Sequence, residues 1–554
     1  MDNFQIAEYF NLLSKLMDIH GENSFKAKHY AAAAFNIEKL AVQLSETAPD
    51  KLFSLKGLGE SSGQKILELL ETGQISVLTE LLQKTPEGVL EMLQIKGIGP
   101  KKISVIWKEM QIETIGELLY ACQENRLKNY KGFGEKTQQN IIETIEYYFK
   151  NKGSFLYAQV EIVFNDIKNY VEKIFAPHAI KCTGGYIRQF PVIDELAFVV
   201  AANREFIQKK MISANPPELL ELTENSILYK LQNGLRLRFL IAETNFNKTY
   251  FIHSAGPAFV AALENKFPSL DLNQDEISLF NNAGIPFIPA YARETSAIIE
   301  QTKQPVTIQP SDIKGIIHSH SNWSDGTNTI EEMAKAAIAK GLEYLVISDH
   351  SKAAFYANGL NEERIKEQHR YIDELNQQLA PFKIFKSIEC DILNDGNLDY
   401  SNAILSTFDL VITSIHSNLK MTEEKAMLRL MTAIQNPYTT ILGHMTGRLL
   451  LSRKGYPVNH HTIIDACAAH QVVIELNAHP NRLDIDWQFI EYALEKKVLI
   501  SINPDAHTIE GFDDTKYGVL VAQKALLSSA QNLSSYSLAA FEAYLEQIKR
   551  AKGI

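Results

Sequence analysis

The spacing of hydrophobic residues changes along the chain and divides it into regions of different secondary structure. In residues 1–150 apolar side chains recur at helical spacing with few β-branched runs, so this region is predicted to be almost wholly helical. In residues 151–245 the apolar runs LYAQVEIVF, ELAFVVAA and LRLRFLIAE alternate with helical stretches and predict strands of a small α+β layer. After a connecting region, 246–309, residues 310–554 alternate β-rich runs with amphipathic helices. The pattern therefore predicts a multidomain chain.

The last region has the repeating pattern of a parallel β/α fold. Its amphipathic helices include IEEMAKAAIAKGL and TEEKAMLRLMTAIQ. The β-rich runs are seven in number and cover residues 314–320, 344–350, 382–390, 410–416, 439–444, 472–477 and 498–507. Repeated βα units predict a parallel sheet, here closed into a barrel, whose active site lies at the C-terminal ends of the strands.

Histidines and carboxylates stand at the C-terminal ends of six of these seven runs. The residues concerned are His318, His320, Asp325, Asp349, His350, Glu389, His416, His444, Asp505 and His507. Imidazole and carboxylate ligands suit zinc, manganese or iron, and the absence of thiols argues against a structural zinc site. Any one of these histidines alone is more typical of a surface or a hydrogen-bonded core residue. Their conjunction predicts a metal site at one end of the barrel.

A Gly-x-Gly turn recurs three times in the helical region. The segments are SLKGLGESSGQKILELL, QIKGIGPKKISVIWKEM and NYKGFGEKTQQNIIETI, with the glycine pairs Gly57/Gly59, Gly97/Gly99 and Gly132/Gly134. Glycine tolerates positive φ and lets the backbone approach a phosphate closely, and the helix that follows directs its N–H groups and positive dipole end towards that phosphate. This is the signature of the helix-hairpin-helix motif, which binds phosphate backbones without base specificity. Lys101, Lys102 and Lys136 fit this role, although each alone is also typical of a solvated helix face.

The charge of the chain limits how it binds nucleic acid. The formal net charge is −11, and residues 1–150 carry 17 Lys and Arg against 20 Asp and Glu. A general basic field is therefore absent, and DNA binding by this region must depend on a few placed groups.

Cysteine content and the N-terminus indicate the cellular compartment. The four cysteines lie far apart without a CxxC pair, which argues against a disulfide scaffold and suits a reducing cytoplasm. The N-terminal sequence does not have the pattern of a signal peptide, and no stretch has the roughly 20 apolar residues of a membrane span. We expect a cytoplasmic protein with no membrane partner, and a monomer by default.

Two segments outside the barrel resemble bacterial family X DNA polymerases. CTGGYIRQFPVIDELAFVV resembles the Gly-Ser-x-x-Arg…Asp-x-Asp strand of their nucleotidyltransferase palm, and GIPFIPAYARE (284–294) resembles the junction between their thumb and C-terminal domain. The resemblance covers essentially the whole chain in the same order. It implies a helix-hairpin-helix region at 1–150, a palm at 151–245, a thumb and linker at 246–309, and a hydrolase domain at 310–554.

The carboxylates of the polymerase site are the main departure from that family. Polymerase chemistry requires two metal ions held by carboxylates. Aligned without gaps, the Asp-x-Asp pair of the family falls at Glu195 and Ala197, and its third Asp falls at Arg236. Asp194 cannot replace them, because adjacent strand residues point to opposite faces. We interpret the palm as inactive in synthesis, with a remaining role as a spacer or a DNA-binding platform.

The barrel region resembles the PHP (polymerase and histidinol phosphatase) domain, a distorted seven-stranded β/α barrel with a trinuclear metal centre. HMTGRLLLSRKGY (444–456) and NAHPNRLDI (477–485) are similar to the family X version. The resemblance implies three divalent metals (Mn, Zn or Fe, with Mn as the activating ion) and 3′–5′ exonuclease or 3′-end repair activity. The nine ligand positions that it implies are His318, His320, Asp325, His350, Glu389, His416, His444, Asp505 and His507. Asp349, Arg448 and Arg482 are candidate catalytic residues, with surface ion pairing as a comparable reading of the arginines.

Lys65 follows the first Gly-x-Gly turn. By its position it resembles the Schiff-base lysine of the lyase domain in family X polymerases. A solvated lysine is the better interpretation.

Four functions remain open at this point. The first is a nuclease that binds gapped, nicked or 3′-end DNA through its hairpins. In this case the hydrolytic activity resides wholly in residues 310–554. The second is an active polymerase with a 3′–5′ exonuclease, which the lost carboxylates contradict. The third is a DNA-binding scaffold without catalysis, against which the complete ligand set argues. The fourth is a small-molecule phosphoesterase, in which the three hairpins would have no purpose.

Overall fold

The computed structural model describes residues 1–53, 55, 57–123, 127, 130, 132–151, 153–212, 216–300, 306–451 and 454–554. Parts of the predicted segments lie outside the described residues, namely Ser54, Lys56, Asn129, Lys131, Ser452 and Arg453. The chain divides into two compact units, Met1–Lys152 and Gly153–Ile554. Within the described ranges, no helix has the length and apolar character needed to cross a membrane.

The first unit is helical, as predicted. Phe10, Leu16, Ile37, Ile66 and Ile103 belong to its shared core. Its helices are α1 (Asn3–His20), α2 (Ser24–Glu38), α3 (Pro49–Leu52), α4 (Glu60–Thr72), α5 (Ser76–Lys84), α6 (Glu87–Met92), α7 (Pro100–Lys108), α8 (Ile115–Gln123) and α9 (Glu135–Asn151).

The three Gly-x-Gly turns share one backbone arrangement. The first glycine of each pair is left-handed, with φ of 89° at Gly57 and 92° at Gly97 and Gly132. The residue between the glycines donates its N–H to a carbonyl three positions earlier, at 3.1 Å for Leu58 to Leu55, 3.3 Å for Ile98 to Ile95 and 3.1 Å for Phe133 to Tyr130. A helix then begins directly after the second glycine of each pair. The repeat in the sequence is therefore a repeat in structure.

The second glycine of each pair does not have a left-handed backbone. Gly59 and Gly99 have φ of −86° and −78°, and Gly134 is not left-handed either. Any residue can adopt such a backbone, so positive φ does not explain glycine at these positions. What remains is the absence of a side chain at the start of a helix, where a phosphate would approach.

The second unit begins with an α+β layer. A five-stranded sheet has the order β2-β4-β7-β6-β5, and β1 pairs with β3 separately. The strands are β1 (Phe155–Leu156), β2 (Ile180–Thr183), β3 (Val192–Ile193), β4 (Leu196–Val200), β5 (Glu218–Leu222), β6 (Ser226–Lys230) and β7 (Arg236–Ile241). The helices of this part are α10 (Tyr157–Phe175), α11 (Arg204–Lys210), α12 (Phe246–His253), α13 (Pro257–Lys266) and α14 (Glu276–Ala283).

One predicted strand in this layer is wrong. LYAQVEIVF forms the start of the 19-residue helix α10 instead of a strand. The β-branched and aromatic residues of this run suggested a strand, but the helix buries Val160, Val171 and Phe175 against the sheet core while Ile162 stays exposed. Tertiary packing thus overrides local β-propensity here. The predicted strands in ELAFVVAA and LRLRFLIAE are confirmed as β4 and β7.

The rest of the second unit is a parallel β/α barrel. The strands lie side by side in the same order as in the chain, from β8 to β14, and neighbouring strands are parallel. They are β8 (Gly315–Ile316), β9 (Tyr344–Ile347), β10 (Lys383–Asp391), β11 (Leu410–Ser414), β12 (Ile441–Leu442), β13 (Val473–Asn477) and β14 (Ile500–Asn503). The helices are α15 (Ile330–Ala339), α16 (Glu362–Leu379), α17 (Asn402–Leu405), α18 (Glu423–Gln435), α19 (His460–His470), α20 (Ile490–Glu495), α21 (Thr515–Lys524) and α22 (Leu538–Lys552).

The barrel is nearly closed beyond the ends of its first and last strands. Ser319 and Ala506 form an isolated parallel bridge, and His320 N donates to Ala506 O at 2.8 Å. The predicted seven-stranded β/α barrel is therefore confirmed. The finer boundaries at residues 150, 245 and 309 stay predictions.

Candidate active site

Glu389 is the centre of the histidine cluster at the C-terminal end of the barrel. Its Oε1 lies 3.0 Å from Nε2 of both His416 and His444 and 3.3 Å from Nε2 of His318. Its Oε2 lies 3.1 Å from His350 Nδ1. One fully buried carboxylate thus contacts imidazoles that follow four different strands, as the barrel rule predicts.

The remaining ligand candidates form the more open side of the cluster. Asp505 Oδ1 lies 3.1 Å from His320 Nε2, and Asp325 Oδ2 lies 3.5 Å from His507 Nε2. The His320 ring lies between those of His350 and His507, with ring centroids 4.4 and 4.3 Å away. The structure therefore brings all nine ligand positions of the sequence analysis together at one end of the barrel.

Three overlapping groups in this cluster have the spacing of metal ligands. They are His320, Asp325, His350 and His507; His318, His320 and Asp505; and His350, Glu389 and His416. Within each group the ligand atoms lie within 4.8 Å of one another.

Buried atoms in the cluster without a well-formed hydrogen bond support the fit to metal ions. Among the described residues, five of its buried atoms make no hydrogen bond of good geometry, although His318 Nε2, His350 Nδ1 and Glu389 Oε2 lie within 3.3 Å of an oppositely charged group: His318 Nε2, His320 Nδ1, His350 Nδ1, His444 Nδ1 and Glu389 Oε2. Buried polar atoms normally find a partner. Nitrogen and carboxylate oxygen are suitable ligands for Mn, Zn and Fe, so these residues fit the divalent metals that the sequence implies.

The backbone at two ligand positions is left-handed. His318 has φ of 66° and Asp505 has φ of 53°. His318 lies just beyond the two-residue strand β8, which is shorter than the predicted run 314–320 because the left-handed residue interrupts the extended backbone. Asp505 lies at the same distance beyond β14. These two turns bring the first and last strands of the barrel to the same site.

Two residues that orient the histidines were missed by sequence reasoning. Glu475 Oε2 lies 2.6 Å from His318 Nδ1, and Asp391 Oδ1 lies 3.2 Å from His416 Nδ1. A carboxylate on one ring nitrogen leaves the other nitrogen available as a ligand. The signal was present, since Glu475 is the one charged residue in the apolar run VVIELN and Asp391 is two residues beyond Glu389 on the same strand.

Burial and charge shift the pKa values of the cluster in opposite directions. Burial, with repulsion from His507 and His350, lowers the pKa of His320 to about 3. Burial also disfavours the charged form of His416, but the attraction of Glu389 and Asp391 is the larger effect. Together these effects raise the pKa of His416 to about 10. Burial disfavours ionised Glu389, yet the surrounding histidines hold its pKa well below the usual range. The histidines around Glu389 thus favour its ionised form, and its charge in turn favours protonated His416.

Asp349 lies beside the ligands but faces away from them. Its fully buried carboxylate accepts hydrogen bonds from Ser321 N and Oγ at 2.8 and 2.7 Å, from Ser324 Oγ at 2.5 Å and from Gln368 Nε2 at 2.6 Å. These donors belong to α16 and to the loop that leads to Asp325. The contacts favour a role in holding that loop, and the catalytic role of Asp349 stays a prediction.

The two candidate arginines occupy different positions. All three guanidinium nitrogens of Arg448 bond to residues of the loop that carries Arg482. Nε donates to Arg482 O at 2.9 Å, Nη1 pairs with Asp486 at 2.6 Å, and Nη2 donates to Leu483 O. Arg482 points to the cluster, with Nε 3.6 Å from Asp505 Oδ2. Arg482 therefore lies beside a ligand candidate, whereas Arg448 bonds to the loop that carries Arg482, and the catalytic role of both arginines stays a prediction.

In the palm, the cation beside the remaining carboxylate is Arg238 and not Arg236. The parallel strands β4 and β7 pair Ala197 with Arg238. Arg238 Nε lies 2.7 and 2.8 Å from the two carboxylate oxygens of Glu195, and Nη1 donates to Ser226 Oγ at 3.0 Å. Arg236 begins β7 and lies against the backbone at Gly153. Arg238 is thus the cation that contacts Glu195, and the alignment of the family's third Asp with Arg236 stays a prediction.

A cavity of about 560 Å³ opens beside this ion pair. Residues that line it include Glu195, Asn225, Arg238, Thr249 and His253. Arg238 also approaches Glu221 at 3.4 Å, and these charged partners raise its pKa despite its burial. The cavity at the predicted polymerase site therefore contains a permanent cation paired with the carboxylate that remains.

The candidate DNA contacts in the first unit lie at helix starts. Lys101 and Lys102 are the second and third residues of α7, and Lys136 is the second residue of α9. Lys102 also lies over the Phe133 ring at 5.7 Å. Lys65 on α4 is paired with Glu68 at 2.6 Å. An ion-paired lysine is a poor nucleophile, so the lyase role of Lys65 stays a prediction.

The second glycines show that the three hairpin turns are not equally open. A Cβ added at Gly99 or Gly134 would meet nothing within 4 Å, whereas one added at Gly59 would lie 3.3 Å from the His29 ring. The three turns therefore differ in the space beside their second glycine, which is smallest at Gly59. Gly134 keeps the open approach that a phosphate needs. The DNA-binding role of Gly59 and Gly134 stays a prediction.

Comparisons with known proteins agree with this arrangement. A helix-hairpin-helix domain model matches residues 1–75, a SAM-like helix-hairpin-helix tandem matches residues 89–146, and a PHP domain model matches residues 317–479. A probable phosphatase from Caldanaerobacter subterraneus is 28% identical over 29% of this chain and 60% of its own length. The probable phosphatase YcdX from Escherichia coli O81 is 26% identical over 29% of this chain and 62% of its own length.

The fold and the site together define a protein in which helix-hairpin-helix domains precede a PHP domain. The DNA polymerase/3′-5′ exonuclease PolX of Bacillus subtilis is 32% identical over 99% of this chain and 100% of its own length. The chain belongs to the PolX family, the family X DNA polymerases with a C-terminal PHP domain. The resemblance drawn from the sequence is confirmed.

Proposed function

We propose that this protein is a DNA repair enzyme that hydrolyses phosphodiesters in its barrel and has lost DNA synthesis in its palm. The full-length relative is named a DNA polymerase/3′-5′ exonuclease, which supports a nucleic-acid substrate. One contrast carries the proposal. In the barrel a histidine or a carboxylate stands at each of the nine ligand positions, and these side chains lie together. In the palm, by contrast, Arg238 pairs with the carboxylate that remains, Glu195.

The proposed activity is 3′–5′ exonuclease digestion, extending to abasic sites and blocked 3′ ends. The substrates are gapped, nicked or 3′-ended DNA, bound by a monomer through its hairpin turns. Of the candidate divalent metals, three ions are proposed, with Mn²⁺ as the activating one.

The residues that would hold the metals are the three overlapping groups around Glu389. When bound, divalent metals lower the pKa of coordinated water and neutralise charge on the phosphate. The protein's own contribution is to fix the ligands: Glu475 holds the ring of His318, and Asp391 holds that of His416. Arg482 adds a donor on the exposed side of Asp505, where it binds and orients a phosphate.

A bifunctional polymerase and exonuclease is the second candidate. The name of the Bacillus subtilis relative favours it. Against it stands the loss of carboxylates at Ala197 and Arg238, because a metal pair requires more than Glu195.

A single labelled primer–template experiment tests both candidates. The purified protein is incubated with a gapped duplex and Mn²⁺, with and without dNTPs, and the products are resolved by length. We expect shortening from the 3′ end in both reactions and no extension. Extension with dNTPs would establish the bifunctional enzyme, and an unchanged primer in both reactions would contradict catalysis on DNA.

The hairpin turns predict different effects for the two glycines of a pair. At Gly99, which precedes α7 with φ of −78°, an added Cβ meets nothing within 4 Å. Gly99→Val should therefore leave the melting temperature within a few degrees but place a side chain where a phosphate approaches. We expect about tenfold weaker duplex binding on every sequence, measured by fluorescence anisotropy.

Gly97→Val is the matched control for this prediction. With φ of 92°, Gly97 cannot accept a branched side chain without strain, which costs roughly 1–2 kcal/mol of stability. This variant should lower the melting temperature of the first unit. If Gly99→Val binds DNA normally, or discriminates between sequences, the phosphate-cradle interpretation is wrong.

A further inference from the structure

Helix α21 of the barrel is fastened to the palm by a buried lysine. The side chain of Lys524, the last residue of the helix, has no exposed surface. Its Nζ donates to Arg188 O at 2.6 Å and pairs with Glu294 Oε1 at 2.9 Å. Arg188 lies in the loop after β2, and Glu294 lies in the segment that leads from the thumb region to the barrel. One cation therefore joins three separate parts of the second unit.

Two aromatic rings enclose the same ammonium group. Lys524 Nζ lies 4.1 Å from the centroid of Phe190, in the palm loop, and 4.6 Å from that of Trp487, in the barrel. The two rings contact each other edge to face at 6.4 Å. A cation between aromatic faces, shielded from water, is held more strongly than one at the surface.

Trp487 ends a segment that reaches the metal cluster. We call residues 477–487 the arch. At its other end, Asn477 Nδ2 donates to Asp505 Oδ2 at 3.0 Å. Arg482 lies between the two ends of the arch. Arg448 binds the arch through an ion pair with Asp486 and hydrogen bonds to two backbone carbonyls. The ammonium of Lys524 thus contacts the arch at one end, at Trp487. The other end of the arch, Asn477, contacts the metal-ligand candidate Asp505.

We infer that Lys524 is a positioning residue of the phosphodiesterase: by fixing Trp487 to the palm loop and to Glu294, it holds the arch and Arg482 in register with Asp505. The inference rests on the proposed function. It means that residues before 310 are a structural part of the active site, although they provide none of the proposed metal ligands. The activity then does not reside wholly in residues 310–554.

The charges around Lys524 define when the contact holds. Arg188 and Glu294 face it from the palm loop and the junction, and Asp486 faces it from the arch. Burial lowers the pKa of Lys524 to about 8, against the opposing effect of Glu294. The ammonium is therefore charged below about pH 8 and loses its charge as the pH rises through that value.

Replacing Lys524 should not unfold the protein. A lowered lysine pKa means that its charged form is less favourable in the folded protein than in water, so an apolar side chain of similar length is tolerated. Glu294 keeps its partner, since Arg188 Nε donates to it at 3.0 Å. Lys524→Met therefore leaves no buried charge unpaired.

The test compares Lys524→Met with Lys516→Met in the full-length protein. Lys516 is on the same helix and also pairs with the palm, at 2.9 Å from Glu161, and its ammonium lies over the Tyr517 ring, 4.7 Å from the centroid. With Mn²⁺ and a 3′-labelled duplex, we expect Lys524→Met to lower kcat roughly tenfold with little change in KM, because a misplaced group costs rate more than binding. Lys516→Met should match the wild type, and the melting temperatures and bound manganese of all three proteins should agree.

The pH profile separates positioning from a general loss of structure. The ratio of wild-type to Lys524→Met activity cancels every ionisation that the two proteins share. We expect this ratio to be constant below about pH 8 and to fall towards one above it, as the wild type loses the charge that the variant lacks.

Three results would overturn the inference. Wild-type kcat in Lys524→Met, with the wild type active, would refute the positioning role alone. An inactive wild type would refute the proposed function and this inference with it. If both Lys524→Met and Lys524→Gln fail to fold, the role of Lys524 is structural and the positioning assignment is wrong.

Discussion

Replacing His320 by alanine is expected to reduce 3′–5′ hydrolysis of DNA by at least about a hundredfold, which corresponds to roughly 2.7 kcal/mol of transition-state stabilisation. His320 belongs to two of the three groups with metal-ligand spacing, so its loss alters two adjacent sites at once. Rates are measured on a labelled duplex with saturating Mn²⁺, and bound manganese is measured by elemental analysis. Both should fall. Duplex affinity should stay within about twofold, because the proposed DNA contacts lie in the hairpin turns.

His470→Ala provides the matched control for this prediction. His470 is an exposed histidine at the end of α19 in the same barrel and lies outside the cluster. This variant should retain full activity and metal content. A chelator should abolish wild-type activity, and added Mn²⁺ should restore it best. Wild-type rates in His320→Ala would show that the site is assigned wrongly, and lost DNA binding would show that the two functions are not separated along the chain.

The second large effect concerns DNA synthesis, which we expect to be absent. The test is best done in the His320→Ala background, so that degradation does not mask extension. On a gapped duplex with dNTPs and either Mg²⁺ or Mn²⁺, no primer should lengthen. The guanidinium of Arg238 explains this result. It occupies the carboxylate of Glu195, the ligand that a metal ion would need. Its repulsion of a dication at about 4 Å has an upper bound of about 8 kcal/mol at an effective dielectric constant of 20, from which the attraction of Glu195 and Glu221 subtracts.

The contact of Arg238 with Glu195 makes this expectation specific to one arginine. Ala197→Asp with Arg238→Asp would place two carboxylates at paired positions of β4 and β7, beside Glu195, and should add a manganese site that titration detects. Ala197→Asp with Arg236→Asp is the matched control and should not add one, because Arg236 lies against Gly153 at the start of β7. Equal manganese binding by the two double variants would contradict the role given to Arg238.

The barrel and its ligands were predictable because each strand and the ligand that follows it lie in one short segment of the sequence. Each strand is a short apolar run, and a ligand at its end needs no knowledge of distant contacts. The three hairpins were predictable for the same reason, since Gly57, Gly97 and Gly132 each need the left-handed backbone that glycine favours. The closer surroundings of Gly59 were not predictable, because His29 belongs to a helix 30 positions earlier in the chain.

Features that depend on register or on long-range packing were not predictable. Arg238 contacts Glu195 although the register of β4 and β7 pairs Arg238 with Ala197, so its guanidinium reaches diagonally across the two strands, and one sequence does not specify such a contact. The helix over LYAQVEIVF is stabilised by packing against the sheet, in spite of its β-branched residues. The ammonium of Lys524 meets a carbonyl 336 positions away, a contact without any local signal.

The left-handed backbone at His318 and Asp505 sets a limit on how far this barrel can be stabilised. A residue other than glycine in that conformation costs on the order of 1–3 kcal/mol, and glycine would relieve most of it. Glycine, however, has no imidazole or carboxylate to offer. If both residues are metal ligands, as proposed, the site is kept at the expense of conformational stability. Efforts to make the protein more heat-resistant should leave these two positions unchanged and look for gains elsewhere in the chain.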